Sequence, residues 1–187
     1  MSDSLITKNA IAAALKALCK GKAFEKISIA DITTECGLNR QTFYYHFQDK
    51  YELLSWMYYH ENFEKITEGI SLDNWDRKIL QMLEIMEADK SFYTNTIKEP
   101  EHTFESYLFE LTKALFSEAI PKLNPDGKLK DEELEFDAEF YAYGICGVIV
   151  SWTVSGMKRK PEDVVGRLKN LSKYTERIGF LRSQVVS

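Results

Sequence analysis

ISIADITTECGLNRQTFYYHFQDKYELL, residues 27–54, decides the fold. Ser28, with Asp31 three positions on, makes a capping-box pattern for a short helix. Ile29, Ile32 and Cys36 mark that helix's buried stripe, and Gly37 supplies the positive φ that ends it. Leu38 and Asn39 make a tight turn, with Asn39 a good N-cap for a second short helix over about Arg40 to Phe47. Helix, glycine-containing turn and short helix together have the sequence shape of a helix-turn-helix.

Outward from this stretch the periodicity stays helical. Ile11, Leu15 and Leu18 recur at i, i+4 and i+7 among helix-forming alanines, which predicts a first helix from about Leu5 to Lys20. Asp49 and Glu52 open a fourth helix running to about Glu68. Further helices are predicted at about 72–88, 90–98, 102–120, 132–158 and 161–182. Breaks are expected at Asp89–Lys90, at Pro100, at Pro121–Gly127 and at Lys160–Pro161, with 121–133 the one obvious polar loop. The chain reads as all-α: a three-helix DNA-binding head over residues 1–50 and a helical domain over residues 51–187.

Composition agrees with that class. The 187 residues include only nine glycines and four prolines, too few for a sheet protein built on many tight turns. The net charge of −5 alone argues against nucleic acid as a partner. Its distribution does not: residues 1–50 balance at +2 and the remainder at −7. Cys19, Cys36 and Cys146 are odd in number and widely spaced, which fits a reducing, cytoplasmic setting and no metal knuckle. The N-terminal apolar run is interrupted by Lys8 and Lys16, unlike a secretory signal. The window Phe140 to Met157 carries no charge, yet three serine or threonine and three glycine residues interrupt it. It reads as a buried or interface helix rather than a membrane span.

Chemistry concentrates at the second helix of the motif, which in this arrangement enters the major groove with its N-terminal residues facing base edges. Arg40 can bond guanine O6 and N7 together, and Gln41 can bond adenine N6 and N7. Thr42, Tyr44, Tyr45 and His46 carry donors suited to phosphates, and Lys50 opens the next helix, where cationic charge favours an anion. Simple packing of Tyr44, Tyr45 and His46 is the competing reading of the same spacing. Enzyme readings find no support. His60-Glu61 and Glu64 give HExxE without the second histidine of a zinc motif, and no GxGxxG, GxxxxGK[ST] or GxSxG occurs.

The segment 27–54 resembles the DNA-binding motif of TetR-family transcriptional regulators. The family pattern has a capping Ser or Thr, a helix, Gly, a turn, an aromatic Tyr-Tyr-His-Phe run, a polar pair, Lys and Glu-Leu-Leu. It is present as Ser28, Gly37, Phe43-Tyr44-Tyr45-His46-Phe47, Lys50 and Glu52-Leu53-Leu54. Two positions depart: Ala23 precedes Phe24 where the family often has Gly, and Gln41 is long where a small residue is frequent. RQTFYYHFQDKYELLSWMY (40–58) further resembles the DhaS-type subgroup, activators of dihydroxyacetone kinase operons in Gram-positive bacteria.

The resemblance implies a homodimer on a pseudo-palindromic operator, joined through the last two helices, with Gly144, Gly147, Val148 and Trp152 as interface candidates. It also implies a body that takes a small-molecule effector, with Trp75, Tyr93, His102 and Tyr107 as lining candidates, or a protein co-regulator. No cofactor and no membrane are implied. A helical adaptor without DNA binding is the alternative.

Overall fold

The computed structural model describes residues 3–99, 103–122 and 130–171. In chain order they form α1 (Asp3–Leu18), a 3-10 turn (Phe24–Lys26), α2 (Ile29–Glu35), α3 (Arg40–His46) and α4 (Lys50–Tyr58). A π-helical segment (Tyr59–Phe63) follows, then α5 (Glu64–Thr67), α6 (Trp75–Ala88), α7 (Lys90–Thr96), α8 (Thr103–Lys122) and α9 (Asp131–Val154). A further helix, α10, covers 161–171. No strand occurs among the described residues. The all-α expectation holds, and so do the expected starts of α2 and α3. The break at Pro100, the loop over 123–129 and the 172–182 portion of the last predicted helix lie outside the described residues.

The head forms as its capping residues require. Ser28 Oγ accepts from the Asp31 amide at 3.2 Å while the Asp31 carboxylate accepts from the Ser28 amide at 2.8 Å, a complete capping box. Lys22 adds an ion pair to Asp31 at 2.7 Å. Together, Lys22 first and the Ser28 donors next, they hold the Asp31 carboxyl well below the ordinary carboxylate range. At the other end of α2, Gly37 has φ +68°. Its amide reaches Thr34 O, and the Leu38 amide reaches Thr33 O at 2.9 Å, a Schellman stop. Asn39 Oδ1 then accepts from the Thr42 amide at 2.8 Å and starts α3.

Ile11, Leu15, Phe24, Ile27, Ile32, Phe43, Phe47, Leu53 and Met57 are buried together under α3. The apolar cluster continues without interruption into the body through Tyr58, Phe63, Met82, Phe92, Tyr93, Phe104 and Ile149. α4 therefore belongs to both halves: Leu53 and Met57 pack under the head and Tyr58 among the body's aromatic rings.

Three elements differ from the sequence expectation. α8 runs through Pro121 to Lys122, and α9 starts at Asp131, both inside the stretch 121–133 expected as loop. The single helix expected to run to about Glu68 is interrupted by the π segment, which re-phases it between two buried stripes. α9 stops at Val154 rather than near 158. Gly156, at φ +82°, lets the Met157 amide reach Trp152 O at 2.9 Å, a second Schellman stop. Pro161 then occupies the first turn of α10, where its missing N–H costs nothing.

Replacing Ser28 by Ala is expected to lower stability by about 1 kcal/mol in urea unfolding at neutral pH. Asp31→Asn has a pH signature. A lowered folded-state pKa contributes stability that is present above the ordinary aspartate value of 3.8 and lost as pH falls through that value towards the folded one. The gap between wild type and Asp31→Asn should therefore shrink steadily below that pH, which urea melts across a pH series will show.

Candidate nucleic-acid interface

α3 lies on the head with Phe43 and Phe47 turned into the core and its opposite side open. Arg40 and Gln41, in its first turn, are exposed. Tyr44 is exposed and meets the Phe43 ring edge-on, and Tyr45 is 83% exposed. The competing reading, in which these tyrosines pack, does not describe them. A large phenol left in water on a capped helix is held by no interior contact that explains it.

His46 is intermediate, edge-on to Tyr45 at 4.9 Å between ring centroids. Thr42 is committed locally: its hydroxyl donates to Asn39 Oδ1 at 3.0 Å, inside the helix cap. Arg40, Gln41, Tyr44 and Tyr45 are thus brought together on one open surface, with Thr42 and His46 at its margin.

Lys50 departs from expectation. Its ammonium donates to Phe24 O at 2.9 Å, Glu25 O at 3.0 Å and Ile27 O at 3.1 Å. Three donors meet three acceptors, so the group is spent inside the head. It also lies 4.5 Å from the Phe24 ring centroid and 5.4 Å from that of Tyr51. The physical reason is the 3-10 turn and the residue that follows it, whose carbonyls converge on the first residue of α4. The sequence suggested a cation at a helix start; it gave no sign that a chain segment 23–26 residues away would claim it.

The expected subunit face divides. Gly144, Gly147 and Val148 are exposed on α9, Val148 at 44%, and they share that side with Phe136, Phe140, Tyr143 and Val154. Trp152 does not join them. It is buried at 6% exposure, its indole N–H donating to Arg159 O at 2.8 Å. Four residues exceed a helical turn by about 40°, so the series 144, 148, 152 walks off the open face onto the packed one. Phe136 and Phe140 escaped the sequence reading because they flank acidic residues, although their spacing with Tyr143 and Gly147 repeats at i, i+4, i+7 and i+11.

The effector candidates do not converge. Tyr93 is fully buried, its hydroxyl accepting from Asn62 Nδ2 at 2.8 Å, and burial raises its pKa well above the ordinary value. Trp75 is half-buried at the start of α6, Tyr107 is exposed against Tyr59 and Phe63, and His102 lies outside the described residues. Two open clefts among the described residues are lined by Glu132, Glu133, Phe136 and Asp137, and by Lys65, Ile66, Gln81, Glu84, Ile85 and Ala88. Neither contains Trp75, Tyr93 or Tyr107. No group of three His, Cys, Asp or Glu among the described residues could hold a metal ion. No described helix is long and apolar enough to cross a membrane.

Comparison with known proteins agrees with the architecture. Residues 11–56 match the family model for bacterial regulatory proteins of the tetR family, and residues 73–174 match that for a transcriptional regulator C-terminal region. The HTH-type dhaKLM operon transcriptional activator DhaS of Lactococcus lactis subsp. lactis (strain IL1403) is 29% identical over 152 residues, spanning 79% of this chain and 80% of that one. A solved structure of a dihydroxyacetone kinase operon activator DhaS superposes with a TM-score of 0.71 at 26% identity, covering 93% of this chain and 98% of the other. Thermus thermophilus FadR, a TetR-family repressor solved with lauroyl-CoA, shares the fold at TM-score 0.51 and 17% identity, covering 88% and 92%.

The Lys50 geometry makes a measurable distinction. Lys50→Ala is expected to cost about 2 kcal/mol in urea unfolding, because three carbonyls lose a charged donor. A lysine serving only phosphate would leave that melt unchanged.

Proposed function

The chain belongs to the TetR family of transcriptional regulators, and we propose that it works as a homodimer that reads a pseudo-palindromic operator through α3. Its relatives are regulators, not enzymes. The observation that carries the reading is one short helix whose inner side is sealed by Phe43, with Phe47 buried just past its end, and whose open side bears Arg40, Gln41, Tyr44 and Tyr45. Arg40 and Gln41, at the start of the helix, reach base edges, while Tyr44, Tyr45 and His46 serve the phosphate backbone and Thr42 holds the cap that starts the helix. Lys50 acts on DNA through the turn it holds. Residues 1–50 do the reading and residues 51–187 the joining and the response.

The open face of α9 supports the dimer. Phe136, Phe140, Tyr143 and Val148 together expose an apolar strip of the kind that marks a contact surface, with Gly144 and Gly147 permitting close approach. Two heads so joined would sit in successive major grooves, half-site centres about 34–36 Å apart or a multiple of that. Likeness to DhaS along most of both chains supports control of a dihydroxyacetone kinase operon. The body responds to a small-molecule effector or a protein co-regulator, and the protein acts in the cytoplasm.

Fluorescence anisotropy on a duplex selected by the protein from a random pool tests the reading. Gln41→Ala should cost about 1–3 kcal/mol on the selected duplex and little on a scrambled one. Equal loss on both would mean that α3 does not read bases, and no preference in the wild type would leave the adaptor reading. Val148→Glu should shift the protein to monomer in sedimentation and weaken operator binding together with it, since a charge would be buried unpaired in the joint. A fully dimeric variant would rule out the α9 face.

A further inference from the structure

The turn that links α1 to the 3-10 segment is held from outside the head. Asn95, on α7 of the body, accepts from the Phe24 amide at 2.9 Å through Oδ1. Through Nδ2 it donates to Cys19 O at 3.2 Å and Lys22 O at 2.8 Å. Both donors and the acceptor of one planar amide are engaged, so the side chain caps the end of α1 and the start of the next turn at once. Lys16, one turn earlier on α1, pairs with Asp89 and Glu61 at 2.5 Å each and lies over the Phe92 ring. Burial works against its ammonium, but the Asp89 and Glu61 carboxylates outweigh it and raise its pKa.

Asp89, Phe92 and Asn95 follow at i, i+3 and i+6, so one face of α7 meets the head. Neighbouring residues of α7 are tied to the connector. Tyr58 donates to Thr96 Oγ1 at 2.7 Å and Asn62 donates to the Tyr93 hydroxyl at 2.8 Å. Apolar packing also joins head and body, and it is non-directional and allows small rolling. Direction comes from the amide clip and the ion pair.

We propose that Asn95 is a positioning residue that fixes the angle of the DNA-reading head against the body and so sets which half-site spacing the dimer accepts. The inference rests on the operator-binding reading above. A dimer whose heads are fixed in angle fits one centre-to-centre separation, and one added base pair shifts a half-site by about 3.4 Å and rotates it around the duplex. Heads free to roll would accommodate that shift. Loss of Asn95 leaves the turn itself folded, because Lys50 holds the Phe24, Glu25 and Ile27 carbonyls from within the head.

The test uses a palindromic duplex selected by the wild-type protein, versions with one base pair added or removed at its centre, and a single half-site. Asn95→Ala should weaken binding to the selected spacing by about tenfold while leaving the altered spacings and the half-site unchanged, so that discrimination collapses. Asn95→Leu, nearly the same size but without the amide, keeps the packing and serves if the Ala variant melts below assay temperature; it should show the same loss of discrimination. Unchanged discrimination in a folded variant overturns the proposal. So does an equal loss on every duplex including the half-site, which would make Asn95 a support of the head's own fold. A wild type that selects no duplex instead overturns the operator reading, and this inference with it.

Discussion

Three carbonyls of the 3-10 turn converge on the Lys50 ammonium, and the geometry of the head follows from that meeting. The turn brings Phe24 under the helices, fully buried, and leaves the Ser28 cap at the right place to start α2. α2 ends after two turns at Gly37, and its stop delivers Asn39 to cap α3. Because Lys50 is also the first residue of α4, one charged group joins the entrance of the motif to its exit. Without a cation there, the Phe24 carbonyl would keep only the Ile27 amide, and the Glu25 and Ile27 carbonyls would lose a charged donor.

Much of this was legible in the sequence because the signals are local. The capping box at Ser28 and Asp31, the positive φ of Gly37 and the Asn39 cap all span three or four residues, and each formed as read. The open side of α3 was legible for the same reason: Phe43 and Phe47 are i, i+4 partners, so Arg40, Gln41, Tyr44 and Tyr45 had little room left inside.

What escaped the reading depends on chain segments far apart. Nothing near Asn95 announces partners more than seventy residues earlier, and nothing near Lys50 announces the carbonyls that claim it. Trp152 was misplaced for a geometric reason: a step of four residues looks like a constant face over one turn and drifts over two. Tyr93 was read as pocket-lining because an aromatic at helical spacing carries no label saying which side of the wall it occupies. Its hydroxyl, bonded to Asn62 inside the core, supplies that label.

The π segment between α4 and α5 has a consequence for what the chain can tolerate. Leu53 and Met57 before it, and Phe63 and Ile66 after it, are all buried, yet no single helical period brings both pairs to one side. A turn wider by one residue re-phases the later pair relative to the earlier one, so that each pair meets its own part of the core. The length of the stretch 58–64 is therefore constrained more tightly than its composition. Substitutions at its open positions, such as Tyr59 and Glu64, change a surface, whereas deletion of one residue would restore the ordinary period and swing Phe63 and Ile66 out of phase with everything they touch. In this connector the count of residues is itself the information.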